Sequence, residues 1–217
     1  MPIAAKYLAD FYEGNIYHVF NRTNNKELLF LSEENRRFFL HKYQHYLSVY
    51  ADTFCWCLLP THFHLLIRIK PYKEIVDKLN QHKDNLTATA LGFLKDEITL
   101  SELVEGSFKN FFQSYALAFN KQHNRKGNLF YKPFKRVHVD QETQFTQTVV
   151  YIHANAFKHG IEKDLTKYNW SSYNSIISSG TTDLAREEVL SWFGGIEMFI
   201  KTHKELARYY YDNEIME

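Results

Sequence analysis

Two histidines set two residues apart are the first place in this chain where chemistry can be read. They lie in Thr61-His62-Phe63-His64-Leu65-Leu66-Ile67-Arg68-Ile69. That stretch has the period-two alternation of a strand: Phe63, Leu65, Ile67 and Ile69 share one face, and His62, His64, Leu66 and Arg68 the other. Side chains at i and i+2 point the same way, so both imidazoles can address a single ion, and imidazole is the commonest metal ligand. Two polar residues on a half-exposed strand would show the same spacing. A second pair stands on a helix expected from about Gln141 to Phe157. There Phe145, Val149, Ile152 and Ala156 form the core stripe, and Gln144, Thr148, Tyr151 and Asn155 form another, roughly 100° round. Tyr151 and Asn155 are thus one turn apart and face the same way. A tyrosine can serve as nucleophile, and an amide four residues on can reach the same ion as the histidines. Phosphodiester cleavage needs those parts: a cation to neutralise and orient the phosphate, and an oxygen nucleophile in line with the leaving oxygen. A phenol suits the task because its phosphodiester conserves the bond energy for a later rejoining step.

The elements that must position these groups follow from composition and pattern. A length of 217 residues suits one domain, or one domain with a sizeable extension. Aromatics are abundant, with 15 Tyr and 18 Phe, and serve equally to fill a core or to stack nucleobases. No apolar run reaches bilayer length, and Met-Pro-Ile-Ala-Ala-Lys at the amino terminus lacks a signal-peptide core. Cys55 and Cys57, two apart in an apparent strand, do not form a disulfide framework, so a reduced cytoplasmic setting is expected. The net charge of +1 hides an asymmetry. Between Glu105 and Asp140 there is no acidic residue but seven basic ones: Lys109, Lys121, Arg125, Lys126, Lys132, Lys135 and Arg136. Of the 26 Lys and Arg, 19 remain elsewhere against 25 acidic residues. A basic block on an otherwise acidic chain points to a contact with an anion; the alternative is a solvated face.

Asn15 to Asn21 reads as a first strand, followed by a polar turn. A helix should begin at Ser32, a good N-cap with Glu33 and Glu34 in the first turn, and bury Phe39, Tyr43, Tyr46, Leu47 and Tyr50. His41 and His45 fall on its polar face and read as surface histidines. Thr53 to Leu59 forms a second strand, hairpinned through Pro60-Thr61 to the histidine strand. Residues 71 to about 105 read as an insertion with helical pieces. A helix from Ser107 to about Gln122 buries Phe108, Phe112, Tyr115 and Phe119. Leu129 to Val139 reads as another strand, which Pro133 confines to an edge or a bulge. After the Tyr151 helix, two more helices are split at Gly194-Gly195. Strand, helix, strand, strand, helix, strand is the order of a ferredoxin-like α+β sandwich with a central antiparallel sheet. The domain is expected over residues 1–160 and a helical extension over 161–217.

Several blocks in this order resemble the single-tyrosine HUH transposases, and among them those associated with repetitive extragenic palindromes. The blocks are Tyr17-His18-Val19-Phe20-Asn21-Arg22, Leu59-Pro60-Thr61-His62-Phe63-His64-Leu65-Leu66 and Gly127-Asn128-Leu129-Phe130 with Phe134-Lys135. Tyr151-Ile152-His153-Ala154-Asn155, Trp170-Ser171-Ser172-Tyr173 and Val189-Leu190-Ser191-Trp192-Phe193 complete them. The resemblance implies a metal-dependent single-strand DNA endonuclease and strand transferase. His62, His64 and Asn155 would bind Mg²⁺ or Mn²⁺, and Tyr151 would attack the scissile phosphate, leaving a 5′-phosphotyrosine and a free 3′-hydroxyl. The implied substrate is single-stranded DNA carrying hairpins or palindromes, met in the nucleoid by a monomer or homodimer. Arg22, Lys121, Arg125, Lys126, Lys132, Lys135 and Arg136 are the cations expected to meet it.

The chain departs from that family's pattern at Thr61 (usually Asn), at Ala156 (usually Pro), and at Tyr131 and Pro133 (usually Gln and Arg); no catalytic group is lost. Two other readings stand beside this one. Cys55, Cys57, His62 and His64 form C-x-C-x4-H-x-H, a possible tetrahedral zinc site in a structural module. A DNA-binding protein derived from a transposase could also keep the fold without cutting.

Overall fold

The computed structural model describes residues 4–82, 86–140 and 142–212. Twelve principal elements follow in order: β1 (Ile16–Arg22), α1 (Glu33–Leu47), β2 (Ala51–Leu58), β3 (His62–Ile69), α2 (Tyr72–Gln81), α3 (Ala88–Leu94), α4 (Leu100–Gln122), β4 (Lys135–Val139), α5 (Glu142–Lys158), α6 (Tyr173–Ile177), α7 (Arg186–Phe193) and α8 (Ile196–Asp212). The strands form one antiparallel sheet in the order β2-β3-β1-β4. With α1 and α4 packed together on one face, this is the ferredoxin-like arrangement that the element order implies.

The first core lies between that helix pair and the sheet. Ser32 caps α1 by accepting the Asn35 amide N–H at 3.3 Å, while Phe39, Tyr43 and Leu47 sink into the core and Tyr46 stays half-buried. On β3 the alternation holds, and Phe63, Leu65, Ile67 and Ile69 all join this core. Helix α4 starts at Leu100 instead of Ser107, because Thr99 and Glu102 form a reciprocal capping box. Its stripe of Phe108, Phe112, Tyr115 and Phe119 is buried as expected, with Phe111 added. The helical pieces of the 71–105 segment, α2 and α3, contribute Ile75, Leu79 and Phe93 to the same core.

The other sheet face is not half-exposed. Helix α5 lies across it, backed by α7 and α8, in a second core that holds Leu66, Cys55 and Cys57 with Val149, Ile152 and Phe199. The described part of residues 161–217 therefore completes the cover over the histidine side of the sheet. Gln141, where the sequence places the start of α5, lies outside the described residues. Of the expected 129–139 strand, Lys135–Val139 forms the ladder at the edge of the sheet, and Phe130 makes an isolated antiparallel bridge to Thr23. Pro133 has no N–H to give to a ladder, and Leu129, Phe130 and Phe134 turn into the first core instead. Among the described residues no helix is long and apolar enough to cross a membrane.

Candidate functional site

The strand register determines what surrounds the histidine pair. Antiparallel pairing sets Arg22 across from His62, Phe20 across from His64, and His18 across from Leu66. On the other side Cys57 pairs with His64. All of these share the α5 face. The rings of His62 and His64 stand 5.2 Å apart, nearly perpendicular at 81°.

Helix α5 brings its second stripe down onto them. The Tyr151 ring lies 5.7 Å from His64 and 5.9 Å from His18, edge-on to both. Two turns later, His159 lies 4.9 Å from His62. Asn155 sits between those two contacts on the same helical face, so it is held over the histidine pair. It is fully buried; its Nδ2 donates to the Tyr151 carbonyl at 2.9 Å, while its Oδ1 has no hydrogen-bond partner among the described residues. A buried amide oxygen left without a donor is costly, and a cation is one way to satisfy it. Lys158 places its Nζ 5.1 Å over the Tyr151 ring, adding positive charge at the rim.

His64 is held well below the usual histidine range, first by burial and then by the neighbouring charges of His18, His62, His159 and Lys158. It is therefore neutral near pH 7, which is the form that ligates a metal. The neutral His64 ring, with His62 beside it and an amide oxygen above, suits a divalent ion that completes its shell with water and phosphate oxygens. Mn²⁺ tolerates nitrogen ligands better than Mg²⁺. The zinc alternative fares less well. Among the described residues no group of three or more His, Cys, Asp or Glu is arranged to hold an ion. Cys55 and Cys57 are buried in the second core, and burial pushes both thiols up, away from the thiolate that zinc requires.

The basic residues divide by environment. Arg22 is exposed, with its guanidinium 5.3 Å over the Tyr131 ring. Lys121, Lys126 and Lys132 are exposed as well. Lys135 lies on the α5 face of the sheet, its Nζ 4.7 Å from the Tyr7 ring centre and 5.3 Å from that of Phe20. Arg125 binds inward, to Glu27 at 2.6 Å and to the Asn120 side chain and the Gly127 and Asn128 carbonyls, and so fastens the loop that follows α4. Arg136 is buried on the opposite face of the sheet, donating to the Ala9 carbonyl at 2.6 Å and to Glu105 at 3.0 Å. Counted as a DNA-facing cation from sequence, it is instead spent in the first core.

Sequence reasoning passed over His18 and His159 as site residues. His159 continues the i, i+4 series of Tyr151 and Asn155, a signal that was present. His18 had only the alternation of its own strand, and its approach to His64 depends on register. His41 and His45 are exposed on α1, as their helical face implies.

No protein-family model and no curated protein matches the chain. Among solved structures, a REP-associated tyrosine transposase bound to a REP hairpin matches with a TM-score of 0.57 and 14% identity, over 84% of this chain and 88% of that one. The α+β fold described above, an antiparallel sheet with helices packed on it, is the fold of that transposase.

Proposed function

We propose that this chain is a metal-dependent single-strand DNA endonuclease and strand transferase that works through a covalent 5′-phosphotyrosine. One observation carries the reading: a tyrosine ring set 5.7 Å from that of His64, with a buried amide oxygen that has no hydrogen-bond partner among the described residues one turn further along the same helix. His62, His64 and Asn155 would hold Mg²⁺ or Mn²⁺. When bound, such an ion supplies neutralisation and orientation of the scissile phosphate.

Tyr151 supplies the nucleophile. Its phenolic oxygen forms the new bond to phosphorus and gives up its proton, while the bond from phosphorus to the 3′-oxygen breaks and that oxygen leaves as a hydroxyl. Rejoining reverses the exchange: a 3′-hydroxyl attacks the phosphotyrosine and the phenol departs. Asn155 binds the Tyr151 carbonyl with its amide nitrogen, which fixes the side chain so that Oδ1 is aimed independently of solvent. Helix α5, closed down by α7 and α8, keeps water from much of this face.

The partner would be single-stranded DNA bearing a hairpin, the kind of ligand named for the structural neighbour. Exposed Arg22 and Lys132 flank Tyr131 close to the His62 end of β3, where phosphates and an unstacked base could both be met. The test is incubation with hairpin-bearing single strands from the gene's own flanks and Mn²⁺, followed by a denaturing gel. Wild-type chain should form a covalent adduct, and Tyr151→Phe should form none while retaining nearly all DNA affinity. An adduct of unchanged yield, or one mapped to a different tyrosine, would overturn the assignment. Tight binding without any adduct would leave the non-cleaving reading in its place.

A further inference from the structure

We infer that His18 and Thr61 are positioning residues that dictate which nitrogen each of His62 and His64 offers to a divalent cation. The inference rests on the metal-site reading above and adds to it the two side chains that would make the site specific.

Each imidazole has two nitrogens, and a ring that ligates through one must carry its proton on the other. A partner that engages one nitrogen thereby selects the tautomer and the ring orientation. Both histidines are engaged in the same sense. His62 Nδ1 lies 3.0 Å from Thr61 Oγ1, and His64 Nδ1 lies 2.9 Å from His18 Nε2. With Nδ1–H donating to those two acceptors, the lone pair of each ring resides on Nε2. Both Nε2 atoms are buried, as a ligand pair beneath α5 has to be. For His18 to accept, its own proton must sit on Nδ1, so the arrangement specifies three tautomers together.

The two partners are themselves fixed. His18 stacks on Phe20 at 4.7 Å and on His64 at 5.1 Å, and Phe20 stacks on His64 at 5.5 Å, which restrains all three ring planes. Thr61 sits in the β2–β3 turn, where its carbonyl accepts the Thr23 amide N–H at 3.0 Å. A threonine hydroxyl can accept from Nδ1–H while donating its own proton elsewhere. The side chain that replaces the more usual Asn here therefore retains the acceptor that His62 needs.

The experiment uses the full chain and Mn²⁺ alone, read by calorimetry and by the electron paramagnetic resonance of the bound ion. His18→Phe keeps an aromatic ring in the stack and removes the acceptor; Thr61→Val keeps the shape and removes the hydroxyl. Each should weaken Mn²⁺ binding about 10–100-fold, the usual effect of losing such an outer partner. His18→Gln and Thr61→Ser restore an acceptor and should recover most of the affinity, which a packing role alone would not produce. Thermal melting shows that each variant is folded. Unchanged Mn²⁺ affinity and spectrum in both His18→Phe and Thr61→Val overturns the inference. If His62→Ala and His64→Ala still abolish binding in that case, the metal site stands and only the positioning role falls. Should those two histidine variants also bind as the wild type does, the metal reading itself fails. Loss of the DNA adduct in His18→Phe with Mn²⁺ affinity intact would overturn it too, by assigning His18 to Tyr151 instead.

Discussion

Lys135 and Arg136 are consecutive cations whose roles the structure separates, and their substitution by methionine is a sharp test of the architecture. In a strand, neighbours point to opposite faces. Lys135 shares the α5 face with the histidines, whereas Arg136 enters the first core against α4. Its guanidinium makes charge-assisted bonds to the Ala9 carbonyl at 2.6 Å and to Glu105 at 3.0 Å, and lies 5.1 Å over Phe11 and 5.2 Å over Phe134. Methionine keeps the apolar stem but strands a carbonyl and half of an ion pair. Breaking a buried pair costs about 3–5 kcal/mol. Glu105 keeps some access to water and a second partner, Lys109 at 2.8 Å, so the lower end applies, at about 3 kcal/mol. For a chain of this size that lowers the melting temperature by on the order of 10 °C. Arg136→Met should show this loss in urea or thermal unfolding and no change in the salt dependence of DNA binding. Lys135→Met should do the reverse: near-native stability, weaker binding to a hairpin oligonucleotide, and a salt slope reduced by roughly 0.7 for one lost phosphate contact. An Arg136→Met protein as stable as wild type, with a flattened salt slope, would refute the placement of the side chain.

The buried pair His153–His203 predicts acid sensitivity. His153 Nδ1 and His203 Nε2 lie 2.9 Å apart, and burial pushes His203 down to about 4 and His153 in the same direction. Since the unfolded chain takes up the proton first, His203's contribution is full above about pH 6.5 and is lost as the pH falls towards 4. The loss amounts to about 3–4 kcal/mol at most, the difference between about 6.5 and about 4 at 1.36 kcal/mol per pH unit. Urea midpoints measured across that window should fall less steeply for His203→Gln than for wild type; parallel slopes would remove His203 as the cause. Cys55→Ser with Cys57→Ser should preserve adduct formation and cost stability by burying two hydroxyls, at about 1–3 kcal/mol each where unpaired. Loss of bound zinc together with loss of the adduct would instead favour the zinc module. His41→Ala and His45→Ala, on the exposed face of α1, should leave the adduct yield unchanged on the same gel.

What could be read in the sequence was whatever depends on period alone. Alternation put His62 and His64 on one face of β3, and helical spacing put Tyr151 and Asn155 on one side of α5. The aromatic series in α4 declared its core face in the same way. The first turn of α4 was also legible, because Thr99-x-x-Glu102 is a capping-box signature. It lies inside the polar 71–105 segment, whose helical pieces carry no apolar stripe as regular as that of Phe108 to Phe119. Features that depend on register or on long-range packing were not legible. Nothing local says that β1 sets Phe20 beside His64, which is what brings His18 within hydrogen-bonding distance. Nor does a row of positive charges say which of Lys135 and Arg136 meets a glutamate from another helix. The burial of the histidine face is a third case: Leu66 hinted at it, but the cover comes from helices lying far along the chain.

Ala156 shows how one departure from the resembled pattern changes the site. Proline at this position would lack an N–H, and its ring would clash with the carbonyl of residue 152, so α5 would kink or end around Asn155. Alanine lets the helix run on to Lys158, and the amide of His159 still bonds back to the Asn155 carbonyl at 3.0 Å. That extra turn delivers two groups to the site. Lys158 reaches over the Tyr151 ring, and His159 closes on His62. The helix thus touches the histidine pair at both ends of one stripe, Tyr151 on His64 and His159 on His62, with Asn155 held between them. A helix anchored at two points cannot tilt about either one without breaking the other contact. The Asn155 backbone is therefore held in place over β3, and the Nδ2 bond to the Tyr151 carbonyl at 2.9 Å sets where its amide oxygen points.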